Sequence, residues 1–281
     1  MDGIILINKP LNCTSHDVVN KVRKICHTKK VGHCGTLDPL ASGVLVLCIN
    51  KATKALQFIT SEDKEYIATI TLGKATDTYD LEGKITSEKE YQNDLTLKQV
   101  EETLKTFLGK QKQVPPIYSA IKVNGKKLYE YARNNEKVEI EPRDIEIYSL
   151  ELLSFEKNEI KIRTHCSKGT YIRSLCVDIA SALGYPGVMS SLIRTKSGHF
   201  ALEDCITLED LEQNPNQCIP IEEAFKDFKS LIIEDEKIVY HGKTISSSLE
   251  GQVAIKSKEG KILAIYEQVG ENTLKSVRGL W

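Results

Sequence analysis

Although the chain holds eight cysteines, at positions 13, 26, 34, 48, 166, 176, 205 and 218, it has no Cys-x-x-Cys pair. The nearest thing to a ligand cluster is Cys26, His27, His33 and Cys34, which lacks the spacing of a zinc site. No metal motif and no disulfide framework is therefore read, and the thiols are expected to be reduced. Also missing is any stretch near the ~20 apolar residues that span a bilayer. Met1 runs straight into Asp2 and a strand-like segment, without a basic n-region or a long apolar h-region. The expectation is a cytoplasmic protein with no membrane contact. Internal repeats and low-complexity tracts are absent as well. So is a large excess of either charge: the net charge is −1, which argues against a protein that merely coats nucleic acid.

What is present is ordinary globular composition over 281 residues, enough for one large domain and one small one. Charge is unevenly spread. Residues 1–60 carry eight Lys/Arg against three Asp/Glu, whereas residues 201–250 carry four against twelve. A basic N-terminal face and an acidic region elsewhere are one reading, and an ordinary solvated surface is the other.

Residues 3–8 read as a short buried strand stopped at Lys9-Pro10. Thr14 or Ser15 then caps a helix to about residue 25, with Val18, Val22 and Ile25 on one face. Residues 29–43 read as loop, 44–49 as a central strand, 52–59 as a short helix and 66–72 as a strand. Residues 76–83 are polar loop. Thr96 opens a helix with Gln99 as its capping-box partner, and Leu97, Val100, Leu104 and Phe107 form its inner face. Residues 144–155 and 159–166 form a hairpin, and the turn 167–170 feeds a helix over 171–183 closed by Gly184. After residue 228 the texture becomes short strands with turns at glycines. The fold class is α+β, with a boundary between 1–228 and a small β-rich unit at 229–281.

The most unusual segment is residues 32–43, where three glycines surround Asp38-Pro39. Glycines permit positive φ and close approach to a ligand, and Pro39 restrains Asp38. A carboxylate on a stiff loop just before a buried strand suits catalysis. As pattern alone, an Asp before Pro reads more readily as a turn residue.

Residues 32–45, GHCGTLDPLASGVL, resemble the signature loop of the TruB family of tRNA pseudouridine synthases. Further segments agree in order and spacing: 3–10 (GIILINKP), 64–73 (KEYIATITLG), 116–133 (PIYSAIKVNGKKLYEYAR), 165–173 (HCSKGTYIR) and, more weakly, 192–198 (LIRTKSG). The resemblance spans roughly residues 3–200.

It implies a mixed, largely antiparallel sheet flanked by helices, and a C-terminal PUA-like RNA-binding module. It also implies a reaction, the isomerisation of one T-loop uridine of tRNA (position 55 in the tRNA convention) to pseudouridine. No cofactor and no metal are expected, and the chain is expected to act as a monomer on the T-arm without a guide RNA. Asp38 matches the family's essential aspartate, engaging C1′ of the ribose or C6 of the base, or supporting a glycal route. Arg173 matches its arginine, placed to pair with Asp38. Tyr66 matches its tyrosine, placed to stack on the flipped uracil and to relay a proton. His33 is expected to hold the unstacked loop. Lys9, Lys54, Lys168, Arg194 and Lys196 are candidates for phosphate contact, with solvated side chains as the alternative. Two rivals remain: a guide-dependent pseudouridine synthase, against which stand the short chain and absent basic tails, and an RNA-binding protein with a vestigial site.

Overall fold

The computed structural model describes residues 2–60 and 62–281. In chain order the first half contains β1 (Gly3–Lys9), α1 (Ser15–Ile25), β2 (Val31–Cys34), β3 (Ala41–Ile49), α2 (Leu56–Ile59), β4 (Lys64–Leu72), β5 (Lys74–Thr76), β6 (Ile85–Glu88), α3 (Leu97–Lys105), β7 (Gly109–Gln113), β8 (Lys122–Val123), β9 (Lys126–Lys127) and α4 (Leu128–Arg133). The rest comprises β10 (Arg143–Glu156), β11 (Glu159–Cys166), α5 (Ile172–Ala182), β12 (Gly187–Ser197), β13 (Phe200–Ala201), α6 (Leu208–Gln213), β14 (Lys229–Ile232), α7 (Lys237–Tyr240), β15 (Ile245–Ser246), β16 (Gln252–Lys256), β17 (Ile262–Gly270) and β18 (Thr273–Gly279).

The main sheet runs β1-β3-β12-β4-β11-β10-β7, with β2 on β3 and β13 on β12. Its pairs are antiparallel except β3 with β12. The mixed, largely antiparallel sheet flanked by helices is thus what forms. Its first strands are apolar enough to be covered on both faces. On one side of β1 and β3, Val18, Val19 and Val22 of α1 pack with Leu208 and Leu211 of α6. On the other, Phe58 and Phe225 meet Ala254, Ile262 and Ile265 of the C-terminal sheet and Leu280 just beyond it. Farther along, α5 lays Ile172, Leu175 and Ile179 on the face that Tyr66, Ala68, Ile70 and Leu72 of β4 present.

Helix ends follow local chemistry. Thr14 and Thr96 each accept from the backbone N–H three residues on, closing capping boxes with Asp17 and Gln99. Leu97, expected on the inner face of α3, is instead exposed, while Val100 and Leu104 are buried.

Several strands fall where none was expected, β2, β7 and β12 among them. β2 and the start of β3 take up part of the 29–43 loop, leaving residues 29–30 and 35–40 irregular. β7 is a polar edge strand, Gly-Lys-Gln-Lys-Gln, whose charges suit an edge and hide the usual strand pattern. β12 lies between β3 and β4, yet register shifts at Met189/Ser191 and Arg194/Lys196 break its period of two. The helix expected at 52–59 is a 3₁₀ turn over Asn50–Ala55 followed by α2.

The C-terminal sheet has the order β14-β16-β17-β18-β15 and its own core around Val253, Ile255, Leu263 and Tyr266. No described helix is long and apolar enough to cross a membrane.

The parallel contact of β3 with β12 depends on Gly43. Its φ is +104°, and a Cβ there would lie 2.2 Å from the Arg194 carbonyl oxygen. Gly43→Ala is expected to cost on the order of 3 kcal/mol through strain and overpacking. A thermal melt reads this as a fall of at least about 5 °C, and an unchanged midpoint would count against it.

Candidate active site

Asp38 sits in the six-residue connection between β2 and β3. The loop is clamped on both sides of it. Ser15 Oγ accepts from the Leu37 N–H (2.8 Å) and donates to the Leu37 carbonyl (3.1 Å). The Asn12 N–H donates to the Pro39 carbonyl at 2.9 Å, and the Ala41 N–H donates to that of Asp38 at 3.0 Å. From below, Arg194 donates through Nε to Val44 O (2.7 Å) and through a terminal nitrogen to Gly35 O (3.1 Å).

Arg173, the second residue of α5, reaches the carboxylate with Nε 3.0 Å from Asp38 Oδ2. Its two terminal nitrogens are engaged as well. One terminal nitrogen donates to Thr78 O (3.0 Å) and lies 3.5 Å from Asp80 Oδ2, and the other donates to Tyr118 O (2.9 Å). The guanidinium is nearly buried, whereas the Asp38 side chain keeps 39% of its surface exposed. One oxygen is therefore held and the carboxylate stays open to the cleft. Burial pushes the Asp38 pKa up; Arg173 and Lys9 oppose the rise and Asp80 adds to it.

These groups face a cleft of about 700 Å³, lined among others by Asp38, Lys64, Tyr66, Tyr118, Tyr171 and Arg173. Tyr66 lies on β4 in register with Arg194 of β12 and Thr164 of β11. Burial raises its phenol pKa, partly offset by the Arg194 guanidinium beside it. A phenol held up in this way stays protonated at neutral pH, so it acts as a hydrogen-bond donor and not as a base.

Asp38, Tyr66 and Arg173 are thus brought together. The other candidates diverge. Lys168 lines the cleft and is exposed. Arg194 lines it too, but is buried and occupied with the loop carbonyls, so it positions the loop instead of meeting solvent-borne phosphate. Lys9 is fully buried, its ammonium donating to Pro10 O (2.8 Å) and Cys13 O (2.7 Å), and unlike Lys168 it does not line the cleft. Lys54 donates to the Trp281 carbonyl and lies over that indole, outside the cleft lining. Lys196 pairs with Glu65 at 3.6 Å. His33 is half-buried on β2, with Nδ1 unpartnered and its pKa lowered first by burial and then by Arg194 and His16. It is a neutral imidazole beside the loop and does not line the cleft.

Three contributors escaped sequence reasoning: Ser15, Lys64 and Asp80. Asp80 falls in the stretch read as polar loop, yet it is buried. Its Oδ1 accepts from Thr78 Oγ1 (2.6 Å) and the Glu82 N–H (3.1 Å), which leaves Oδ2 for Arg173. No spacing rule points to it. Among the described residues no cluster of His, Cys, Asp and Glu is arranged to hold a metal ion.

Comparison with known proteins gives a consistent picture. Residues 23–172 match the model of the TruB family pseudouridylate synthase N-terminal domain, and residues 173–225 match the tRNA pseudouridylate synthase B C-terminal domain. A tRNA pseudouridine synthase B of Oceanobacillus iheyensis is 46% identical over 99% of this chain and 97% of its own. One from Bacillus cereus is 43% identical over 95% and 92%. Among solved structures, a Cbf5-Nop10-Gar1 complex contains a chain that is 27% identical with a TM-score of 0.78, covering 99% of this chain and 85% of that one.

The charge pattern predicts opposite responses from Arg173 and Asp80. In a carbon-13 NMR titration, Asp38 is expected to titrate above the ordinary value of about 3.9. Arg173→Gln removes the opposing cation and moves it higher; Asp80→Asn removes a like charge and moves it lower. Shifts in the same direction from both variants would show that the pairwise charges do not govern the carboxylate.

Proposed function

The chain belongs to the TruB family of pseudouridine synthases and isomerises uridine to pseudouridine in tRNA; from that premise we propose that its target is the T-loop uridine at position 55 (tRNA convention), with Asp38 as the catalytic carboxylate. The observation that carries this reading is the 3.0 Å pair of Asp38 with a buried arginine whose other two nitrogens are each engaged by neighbouring groups, in a cleft with room for a base.

A stacked uridine hides its glycosidic bond, so the nucleotide must swing out of the RNA. Unstacking costs a few kcal/mol, on the order of what aromatic stacking returns. Tyr66, at the cleft wall, supplies that ring surface. The ionised Asp38 then meets the sugar–base linkage. Attack at C1′, attack at C6 and support of a glycal route all require the carboxylate charged. The C1′–N1 bond breaks, the uracil turns within the cleft, a C5–C1′ bond forms and the C5 proton leaves. Isomerisation of this kind consumes no second substrate. Arg173 keeps Asp38 charged and directed, and its planar fork is the part a lysine does not reproduce.

The same reading assigns residues 1–228 to catalysis and 229–281 to a PUA-like RNA-binding module, supported by the separate five-stranded sheet of the latter. On this reading the chain acts as a monomer on the T-arm, in the cytoplasm and without a guide RNA. Lys168 at the cleft rim is a phosphate contact that positions RNA without reading sequence.

The test is release of tritium from a T-arm stem-loop labelled at C5 of uridine, using the purified protein alone. Steady release is expected, falling as pH drops through the raised Asp38 pKa, because the carboxylate must be ionised. Asp38→Asn should release essentially nothing while still binding RNA. Undiminished release by that variant removes Asp38 from the mechanism, and release only after adding a guide RNA complex transfers the chain to the guide-dependent type.

A further inference from the structure

Three cations are buried around the catalytic loop, and none forms an ion pair with a described carboxylate: Lys9, Lys64 and Arg194. Burying a charge without a counter-ion is expensive, so each needs a reason. Lys9 and Arg194 have one in the carbonyls of the segments they clamp. Lys64 is different because it also lines the cleft. Its ammonium donates to Thr60 O (3.0 Å) and Glu62 O. An ammonium has three N–H bonds, so one donor remains. Directly across the ladder stands Ser197, whose buried hydroxyl has no partner and supplies no counter-charge.

Lys64 and Tyr66 are alternate residues of β4 and share its buried face. Two residues of strand advance about 6.7 Å, comparable with the reach from a nucleobase to its own phosphate. With the base on Tyr66, a phosphodiester of the same nucleotide lies within reach of the Lys64 position.

We propose that Lys64 binds a backbone phosphate of the extruded nucleotide, so that ring and anion are seized by neighbouring positions of one strand. The inference rests on the placement of the flipped uridine against Tyr66. An anion arriving in the cleft supplies the ion-pair partner that Lys64 lacks among the described residues. The free enzyme shows the lack: the Lys64 pKa is lowered to about 8. Burial is the main cause and Arg194 the next, while Cys34, Glu62 and Asp63 hold it up. The Cys166 thiol, also nearby, is raised to about 12 and stays neutral. A bound phosphate favours the protonated ammonium. RNA affinity should thus be full below about pH 8 and decline as pH rises through that value.

The experiment measures binding of a T-arm stem-loop RNA to the Asp38→Asn protein, which does not turn it over, across salt concentration and pH. Adding Lys64→Met is expected to weaken binding about tenfold at low salt. It should also flatten the slope of log K against log salt by about 0.7 to 0.9, the mark of one lost phosphate contact. The decline above about pH 8 should vanish with it. Lys64→Arg should restore the salt slope but not the pH dependence, since a guanidinium does not deprotonate. A merely structural role lowers affinity at an unchanged slope, and that result overturns the proposal. If Lys64→Met does not fold, the Lys64 protein decides alone: affinity flat from about pH 7 to about pH 9 overturns it. Failure of the parent protein to bind the T-arm at all refutes the substrate reading instead, and the inference with it.

Discussion

The site depends on one guanidinium. Arg173 is nearly buried and carries Asp38, Asp80 and two backbone carbonyls at once. At 3.0 Å and an effective dielectric of about 20, its attraction for Asp38 is on the order of 5 kcal/mol. Desolvating the two ions costs several kcal/mol each, so the pair is a poor source of stability. Its value is directional. A guanidinium held at three corners cannot follow a mobile carboxylate, so the carboxylate is held to the guanidinium. Asp80 competes for the same cation and, as a like charge, adds to the rise in the Asp38 pKa.

The scaffold exists to bring that guanidinium to that carboxylate. Asp38 comes from a hairpin connection, Tyr66 from β4, Asp80 from the link between β5 and β6, and Arg173 from the first turn of α5. What joins them is β12. It runs parallel to β3 and antiparallel to β4, so it ties the strand following the Asp38 loop to the strand carrying Tyr66. Its Arg194 then reaches back under the loop to Gly35 and Val44. At the opposite edge of the loop, the helix α1 contributes Ser15, which fixes the residue just before Asp38. A loop with so few free torsions needs little reorganisation when substrate arrives.

The parts of this arrangement legible in the sequence were those with a local physical signature. The capping boxes at Thr14 and Thr96, the hairpin of β10 and β11, and the buried face of α5 follow from spacing alone. The α+β class and the Asp38 loop with its glycines were visible in the same way. What escaped was either irregular or long-range. β12 hides because two bulges destroy its alternation, and β7 because an edge strand has no need of apolar residues. Asp80 hides because an acidic residue in a polar stretch looks solvated until a partner ninety-three positions later buries it. The lysines mislead for the reverse reason. Lys9 sits in a motif and reads as a phosphate ligand, yet backbone carbonyls already occupy its ammonium.

That last point resolves the weak net charge. A nucleic-acid enzyme with a charge of −1 looks anomalous only if affinity must come from a broad basic surface. Here several cations are withdrawn from the surface and stacked around the reactive carboxylate: Arg173 beside it, Lys9 and Arg194 behind its loop, Lys64 farther along the cleft. Buried in this way they interact more strongly with an anion than exposed lysines would, because little water screens them. Of these, Lys64 is the one proposed to meet the RNA, and from inside the cleft it reaches only a nucleotide that has already left its stack. Charge placed so deep contributes nothing to RNA that stays outside, so it rewards extrusion and not mere adhesion. Under the proposed T-loop reading, selectivity for a folded loop over an ordinary duplex rests on where the positive charge is, without any need for more of it.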